Sequence, residues 1–194
     1  MLKQKVAMLI RVISVPPLIV AYLLALLYFF RDGVFANTGE FIASLVFLTI
    51  IPALAYPVAA VVPSLRKGGR PMQRKTAFVF SVAGYIGGFL YALFARCSKP
   101  VLTIFAAYLI SLLMLVLFNK VIKIRASGHA CSVTSPMFFA TYYFGFGALL
   151  PCAIMYGIIF WASLATKRHT VREFILGTVV CVISATAAVL VLAA

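Results

Sequence analysis

The side chains best suited to acid–base or nucleophilic chemistry are few in this sequence. The chain of 194 residues has two histidines, His129 and His169, and three acidic residues, of which Glu173 follows His169 by four positions. On a helix that spacing puts two side chains on the same face. A carboxylate so placed can fix the tautomer of an imidazole and stabilise its protonated form. We therefore expect a nucleophile or base at His169, with His129 able to protonate a leaving alkoxide.

Three basic segments contain or adjoin these residues. They span residues 65–75, 123–129 and 162–173, and they read LRKGGRPMQRK, KIRASGH and ASLATKRHTVRE. Arginine binds phosphate oxygens in a bidentate manner, and lysine adds a point charge. Ser127 and the backbone N–H of Gly128 can donate hydrogen bonds at the start of a helix, where the helix dipole also favours an anion. Together the three segments predict an oxyanion site with a histidine pair.

Each of these signals also has a simpler interpretation. Basic loops arise in any membrane protein whose orientation follows its Lys and Arg residues. A Ser-Gly-His sequence is frequent at helix starts, where the serine acts as a cap, and an isolated His–Glu pair at this spacing is a weak signal. Both histidines and one of the three acids nevertheless fall in the same set of loops, and this coincidence favours a site.

The composition indicates the surroundings of these residues. Hydrophobic residues make up 65% of the chain and charged residues 10%, and the mean hydropathy is +1.15. Soluble domains contain about 45–50% apolar and about 25% charged residues. The chain is therefore expected to be an integral membrane protein rather than a soluble or disordered one.

The same counts exclude several kinds of chemistry and partner. Three carboxylates are too few for an enzyme with several Asp or Glu metal ligands, and the four cysteines form no C-x-x-C pair. The counts therefore exclude a carboxylate-bound metal centre and give no indication of a structural zinc site or a redox dithiol. The net charge of +14 does not indicate nucleic-acid binding, because the basic residues lie in short segments beside apolar runs. Anionic membrane lipids are the expected partners.

Apolar runs of about 20 residues, the length that crosses a bilayer, divide the chain. We predict one all-α domain over residues 1–194, a polytopic transmembrane helical bundle with its active site at helix ends on one membrane face. The predicted helices cover residues 6–30, 40–63, 76–95, 100–122, 132–144, 148–166 and 171–193. Seven is the direct count, and six results if residues 132–166 form one kinked segment. The first run is too long for a signal peptide and is predicted to be a retained span.

The parity of seven helices sorts the basic residues unequally between the two sides. One side holds three, Arg31, Arg96 and Lys99, and the other holds the remaining fourteen of the 17: Lys3, Lys5, Arg11, Arg66, Lys67, Arg70, Arg74, Lys75, Lys120, Lys123, Arg125, Lys167, Arg168 and Arg172. Lys and Arg near helix ends favour the cytoplasm. The basic side, with both histidines, is therefore predicted to face the cytoplasm from the inner or plasma membrane.

The three segments resemble the signature of the type 2 phosphatidic acid phosphatase superfamily, whose motifs are Lys-x6-Arg-Pro, Pro-Ser-Gly-His and Ser-Arg-x5-His-x3-Asp. In the first segment Lys67 and Arg74 have the x6 spacing. Lys75 then stands where the motif has proline, and an Arg-Pro pair occurs instead at Arg70 and Pro71. Two predicted helices separate successive motifs, as in small bacterial and archaeal branches of the superfamily.

The second and third segments carry more of this resemblance. The second matches at residues 127–129, with Ala126 in place of proline. In the third, His169 matches, Glu173 replaces aspartate, and Ser163 stands where the motif has arginine.

The resemblance implies a membrane phosphatase that works without a metal or a cofactor and acts on the phosphomonoester or diphosphate of a lipid. His169 would be the nucleophile and form a phosphohistidine, Glu173 would orient it, and His129 would protonate the leaving group. The implied phosphate-binding residues are Lys67, Arg74, Ser127 and Gly128, with Arg70 of the Arg-Pro pair as a further candidate. Arg168 or Lys167 would supply the charge that Ser163 lacks in place of the missing arginine.

The sequence leaves the substrate and the oligomeric state open. Candidate lipids are polyprenyl phosphate or diphosphate, phosphatidic acid, phosphatidylglycerol phosphate and a lipid A phosphate, and a cytoplasmic site suits a biosynthetic step. The alternative function is that of a non-catalytic protein that binds or transports anionic lipids. A third interpretation is that the basic residues only orient the chain in the membrane and form no site.

Overall fold

The computed structural model describes residues 2–193, and these residues form helices and connecting turns without a strand. The α-helices are α1 (Leu2–Ile13), α2 (Pro16–Phe30), α3 (Thr38–Leu45), α4 (Ile51–Val61), α5 (Pro63–Lys67), α6 (Gly69–Phe94), α7 (Lys99–Val116), α8 (Gly128–Phe144), α9 (Leu149–Ala165) and α10 (Val171–Leu192). A π-helical segment, Val46–Ile50, joins α3 to α4, and a second, Leu117–Val121, extends α7. A 3-10 turn, Phe146–Ala148, precedes α9. The predicted all-α class is confirmed.

Within residues 2–193, five helical stretches are long and apolar enough to cross a membrane. They are Thr38–Val61, Gly69–Phe94, Lys99–Val121, Phe146–Ala165 and Val171–Leu192. A sixth span results if α1 and α2, which are bent by 54° relative to each other, are counted together. The seven-helix count would also need α8, whose 17 residues extend about 25 Å, short of a hydrocarbon core of about 30 Å.

The bend between α1 and α2 divides the first predicted span, residues 6–30. Pro16 begins α2, and Val15 before it has an extended backbone, with φ −60° and ψ 137°. A residue before proline is disfavoured in the helical region, because its backbone clashes with the proline ring. The proline pair at the start of α2 therefore ends α1 at Ile13 and turns the chain.

Two helices begin earlier than predicted, which moves site candidates from loops onto helices. The helix α6 begins at Gly69 rather than at residue 76, and α8 begins at Gly128 rather than at residue 132. Arg70 and Arg74 therefore lie in the first turns of α6, and His129 lies in the first turn of α8. The predicted separation of α8 from α9 is confirmed at Gly145, whose φ of 76° breaks the helix.

The core surrounds α7, which packs against α6 and α10. Phe105 and Tyr108 of α7 are among the largest fully buried side chains of the described residues. Gly88 of α6 faces the ring of Phe105 so closely that a Cβ at this position would overlap the ring. The small residue thus lets α6 and α7 approach each other, as in other membrane helix pairs.

The α6–α7 turn and the α2–α3 loop meet at one end of the bundle around Glu40. This carboxylate is 5% exposed and accepts hydrogen bonds from the backbone N–H groups of Ala36, at 3.0 Å, and Ser98, at 2.8 Å. Ser98 Oγ donates in turn to the carbonyl of Val34 at 2.6 Å. We call these four residues the Glu40 end. It connects two segments that are 58 residues apart in sequence.

Candidate functional site

The opposite end of the bundle contains both histidines, and its geometry starts from the cap of α10. Thr170 is the N-cap residue, and its Oγ1 accepts from the Glu173 N–H at 3.2 Å. Glu173 Oε2 accepts in return from the Thr170 N–H at 3.3 Å. This reciprocal pair is a capping box, which satisfies two donors that a helix start leaves free.

His169 contacts the same carboxylate. Its Nδ1 lies 3.2 Å from Glu173 Oε2, and the two side chains are 16% and 13% exposed. The predicted contact is present, but its predicted cause was wrong. His169 precedes the N-cap of α10, so the capping box rather than a shared helix face brings the two side chains together. A carboxylate at Nδ1 favours the tautomer with its proton there, which leaves the lone pair on Nε2.

The other oxygen of Glu173 faces Arg125. Arg125 Nη1 lies 3.3 Å from Oε1, and the Arg125 side chain is 63% exposed. An ion pair that is this exposed adds little stability, but it orients the carboxylate from the side opposite His169. We did not predict a role for Arg125.

The segment before α8 is fixed by Asn119. Its side-chain amide donates to the carbonyls of Leu115, at 2.9 Å, and Ala126, at 3.1 Å, and its oxygen accepts from the Ala126 N–H at 3.1 Å. The amide therefore holds the chain that leads into the predicted Ser-Gly-His motif. Asn119 is a positioning residue that the sequence reasoning missed, because it lies outside all three motifs.

Ser127 connects α8 to α10. Its backbone N–H donates to the Glu173 carbonyl at 2.9 Å, and its Oγ accepts from the Ala130 N–H at 3.2 Å as the N-cap of α8. Gly177 of α10 lies so close to the Ser127 carbonyl that a Cβ there would overlap it. The contact places the start of α8, including the exposed Gly128, beside the start of α10.

His129 lies in the first turn of α8. Its Nε2 atom is buried and has no hydrogen-bond partner among the described residues. Burial, together with the positive charge of Arg11 and the nearby His169, lowers the pKa of His129 to about 4. The ring is therefore neutral near pH 7 when no ligand is bound. A buried donor or acceptor without a hydrogen-bond partner lowers the stability of the fold. A bound ligand that forms a hydrogen bond with Nε2 would remove this cost.

Arginines from three different segments surround the two histidines. Burial and the charges of Arg70 and Arg74 lower the pKa of Arg168. Burial also lowers the pKa of His169, against the contribution of Glu173, and the charges of Arg74 and Arg11 act in the same direction as burial. The guanidinium groups of Arg70, Arg74 and Arg168 are therefore close enough to interact with one another. Arg74 is also close enough to act on His169, and Arg168 lines the same cavity as His169.

Arg11 belongs to the same group although no motif contains it. Its Nη1 donates to Thr166 Oγ1 at 3.5 Å, and its Nε is buried without a hydrogen-bond partner among the described residues. The sequence signal was an isolated arginine inside the apolar run VAMLIRVISV. Ionisable residues at such positions are functional candidates by default.

The predicted site residues Lys67 and Arg168 line two different cavities. One, of about 330 Å³, is lined by His169, Glu173, Arg168, Arg125, Lys167, Leu164 and Thr170. The other, of about 400 Å³, is lined by Lys67 with Arg66, Val61 and Pro63. The predicted phosphate ligand Lys67 therefore lines a different cavity from His169. Ser163 is fully buried, and its Oγ has no partner within residues 2–193.

The described residues offer cations and imidazoles rather than a metal-binding set. Within residues 2–193 no group of three or more His, Cys, Asp or Glu side chains lies close enough together to hold a metal ion. The arrangement can instead bind an anion between arginines and present it to the Nε2 atom of His169.

Fold and composition define the chain as an integral membrane protein, an all-α polytopic bundle whose helices contact membrane lipid. Comparisons with protein families, characterised proteins and solved structures give no match. A functional assignment therefore depends on the site itself.

Proposed function

We propose that the chain is a membrane phosphatase that hydrolyses a phosphomonoester or diphosphate of a lipid through a phosphohistidine at His169. The observation that carries this proposal is the contact of 3.2 Å between His169 Nδ1 and Glu173. It lies near Arg70, Arg74 and Arg168, which form no salt bridge within residues 2–193. A histidine so oriented has its Nε2 lone pair free for attack. The resemblance to the type 2 phosphatidic acid phosphatases supports the same roles.

In the first step the Nε2 lone pair of His169 attacks phosphorus, and the bond from phosphorus to the leaving lipid oxygen breaks. The electron pair of that bond goes to the leaving oxygen. Glu173 stabilises the positive charge that develops on the imidazole. Arg70, Arg74 and Arg168 stabilise the charge on the phosphoryl oxygens, which is the principal task of a site for phosphoryl transfer.

His129 supplies a proton to the leaving oxygen. In the empty site its pKa is about 4, so it is not yet an acid at pH 7. A bound phosphate dianion offsets the neighbouring cations and raises this pKa, because an opposite charge within a few ångströms favours the charged form. After donating its proton, neutral His129 accepts one from the water that attacks the phosphohistidine. That attack releases phosphate and restores His169.

A lipid fits the surroundings of the site. The cavity at His169 lies at the ends of α9 and α10, two of the helices that are long enough to cross a membrane. A lipid can therefore keep its tail in the bilayer while its phosphate reaches the arginines. Polyprenyl phosphate or diphosphate, phosphatidic acid, phosphatidylglycerol phosphate and a lipid A phosphate are the candidate substrates. The excess of basic residues at this end favours the cytoplasmic side of the membrane.

The test is phosphate release from a panel of these lipids by the full chain in detergent, with EDTA present. We expect release by the wild type and none above background by His169→Ala. Lys99→Ala, which removes a basic residue from the other end of the bundle, is the control and keeps wild-type activity. Wild-type release that persists in His169→Ala would overturn the phosphohistidine mechanism, and no release from any lipid would overturn the phosphatase assignment.

The second candidate function is that of a non-catalytic protein that binds or transports anionic lipids. Two observations favour it: Ser163 replaces the arginine of the third motif, and Lys67 lines a separate cavity. This function predicts lipid phosphate binding that survives loss of either histidine, without turnover.

A further inference from the structure

The N-terminal helix α1 turns a small and polar face toward the bundle. Ala7 and Ser14 are 0% and 5% exposed, and Ile10 and Arg11 lie between them in the helical repeat. This face packs along α9. The apolar residues on the outer side are at least 41% exposed: Val6, Met8, Leu9, Val12 and Ile13. The helix therefore presents apolar side chains outward and directs its arginine inward.

Arg11 has no acidic partner among residues 2–193. Its charge interacts with those of Arg70, Arg74 and Arg168, all of them cations. Glu173, the acidic residue at this end of the bundle, already contacts His169 and Arg125. A partly buried charge without a partner destabilises a fold. Repulsion among four guanidinium groups adds to that destabilisation.

We propose that Arg11 is an anion-binding residue of the site at the histidines, delivered by α1 to the turn at Thr166. The inference rests on the proposed function in one respect, because the anion is taken to be the phosphate group that His169 attacks. With an anion bound, Arg11 Nε acquires an acceptor while Nη1 keeps its contact with Thr166, and the repulsion among the arginines is relieved. The helix α1 is then part of the site and not only the first half of a span.

This role predicts opposite effects on the empty and the occupied protein. A structural arginine contributes to stability, so its removal lowers the melting temperature of the empty protein. Removal of an arginine whose role is to bind an anion leaves that melting temperature unchanged or raises it. Removing it relieves repulsion in the empty protein and weakens the complex, the pattern expected of residues that are retained for function at the expense of stability.

The experiment measures thermal unfolding of the full chain in detergent against sulfate concentration, at constant ionic strength. The variants are Arg11→Gln, Arg11→Lys and, as a control on the same helix, Lys5→Gln. Sulfate is expected to stabilise the wild type and Lys5→Gln equally. Arg11→Gln is expected to have an unchanged or higher melting temperature without sulfate and to need at least about 10-fold more sulfate, which equals about 1.4 kcal/mol. Arg11→Lys is expected to fall between the two, because it keeps the charge and loses the planar fork.

The proposal is overturned if sulfate does not stabilise the wild type, or if Arg11→Gln responds to sulfate as the wild type does. A lower melting temperature with an unchanged sulfate response would assign Arg11 a structural role. If Arg11→Gln does not fold, an unchanged sulfate response in Arg11→Lys counts against the proposal in the same way. Sulfate binding needs no turnover, so the outcomes are distinguishable. If the sulfate response depends on Arg11 but the protein hydrolyses no lipid, the phosphatase proposal is refuted and the anion-binding role of Arg11 stands. If the protein hydrolyses lipid but Arg11→Gln binds sulfate normally, the phosphatase proposal stands and the role of Arg11 is refuted.

Discussion

Glu40 and Glu173 occupy the same position in two helices, three residues after the N-cap, yet their surroundings differ. Asn37 caps α3 by accepting from the Glu40 N–H at 3.1 Å, as Thr170 caps α10 for Glu173. Both oxygens of Glu40 then accept from backbone N–H groups. Glu173 gives one oxygen to Thr170 and His169 and the other to Arg125. A glutamate three residues after the N-cap thus connects backbone segments at one end of the bundle, whereas at the other end it contacts an ionisable side chain, His169.

Unpaired polar atoms show the same contrast. At the Glu40 end the buried polar atoms have partners, as is usual in folded proteins. At the histidine end Arg11 Nε, His129 Nε2 and Ser163 Oγ are buried without partners among the described residues. The hydroxyls of Ser14, Thr49, Tyr108 and Ser135 are also buried without partners among those residues, so the contrast concerns the two ends and not the whole bundle. Such groups persist at functional sites, where a ligand completes them. The ends are joined by α6, whose 26 residues extend about 39 Å, so each can be changed without touching the other.

The largest expected difference between the two ends comes from exchanging each glutamate for glutamine. Glu173→Gln keeps an oxygen for the capping box, so its stability changes little, but it removes the negative charge at His169. We expect lipid phosphate hydrolysis to fall at least about 100-fold, which equals about 2.7 kcal/mol in the barrier.

Glu40→Gln should give the opposite result. One backbone N–H loses its acceptor, which costs about 1–3 kcal/mol of unfolding free energy, while hydrolysis stays within a factor of two of the wild type, a small difference of about 0.4 kcal/mol. Chemical denaturation and initial rates measure the two effects. A rate loss in Glu40→Gln equal to that in Glu173→Gln would contradict the separation of the two ends.

A pH dependence is expected at the histidine end. The pKa of His129 is about 4 in the folded protein and 6.5 as the ordinary value, so between these values the unfolded chain binds a proton that the folded chain does not. The stability associated with neutral His129 is therefore complete above pH 6.5 and is lost as the pH falls toward 4. The loss amounts to about 3 kcal/mol at most.

Sulfate, a dianion over this range, should bind more tightly as the pH falls from 7 to 5, because protonated His129 adds a charge and a donor. His129→Gln should reduce both pH effects, and Glu40→Gln should leave the sulfate profile unchanged. Calorimetric titration with sulfate at several pH values measures the affinity. A wild-type affinity that does not vary with pH would refute the assigned role of His129.

The smallest expected effect compares two helix ends that share an unusual backbone. Lys167 after α9 and Arg96 after α6 each have a φ of 51°, the left-handed conformation that favours glycine. Replacing either with glycine relieves strain and should raise the unfolding free energy by less than about 1 kcal/mol. Lys167→Gly should also weaken sulfate binding, since Lys167 lines the cavity at His169, and Arg96→Gly should not. Equal sulfate affinities in the two variants would exclude a role for Lys167 in anion binding.

Much of the fold could be predicted from the sequence, because long apolar runs in a chain with 10% charged residues permit little other than membrane helices. The glycine at 145 signalled a break that is present. The break before Pro16 also had a sequence signal, but the length of the apolar run concealed it. The early starts of α6 and α8 were missed since Gly69, Arg70 and Gly128 are typical of loops, although the first turn of a helix tolerates them.

The site was predictable only as far as local sequence determines it. The contact between His169 and Glu173 is set within five residues, and it was found. The position of Lys67 at a different cavity from His169 and the approach of Arg11 depend on how whole helices pack, which spacing along the chain does not encode. Arg125 acts through a contact with Glu173 that forms only when the segment before α8 meets α10. Asn119 makes local contacts with Leu115 and Ala126, and it was missed because it lies outside all three motifs.

The most direct test of the account is a rapid quench of the wild-type chain with its best lipid substrate, followed by mass spectrometry of the peptide that contains His169. We predict a phosphate adduct on His169 that is acid-labile, forms without added metal and is absent in His169→Ala. It should accumulate in His129→Gln if the second step is slowed more than the first. Turnover with no adduct on His169 at any time, or an adduct on another residue, would contradict the assignment of His169 as the nucleophile.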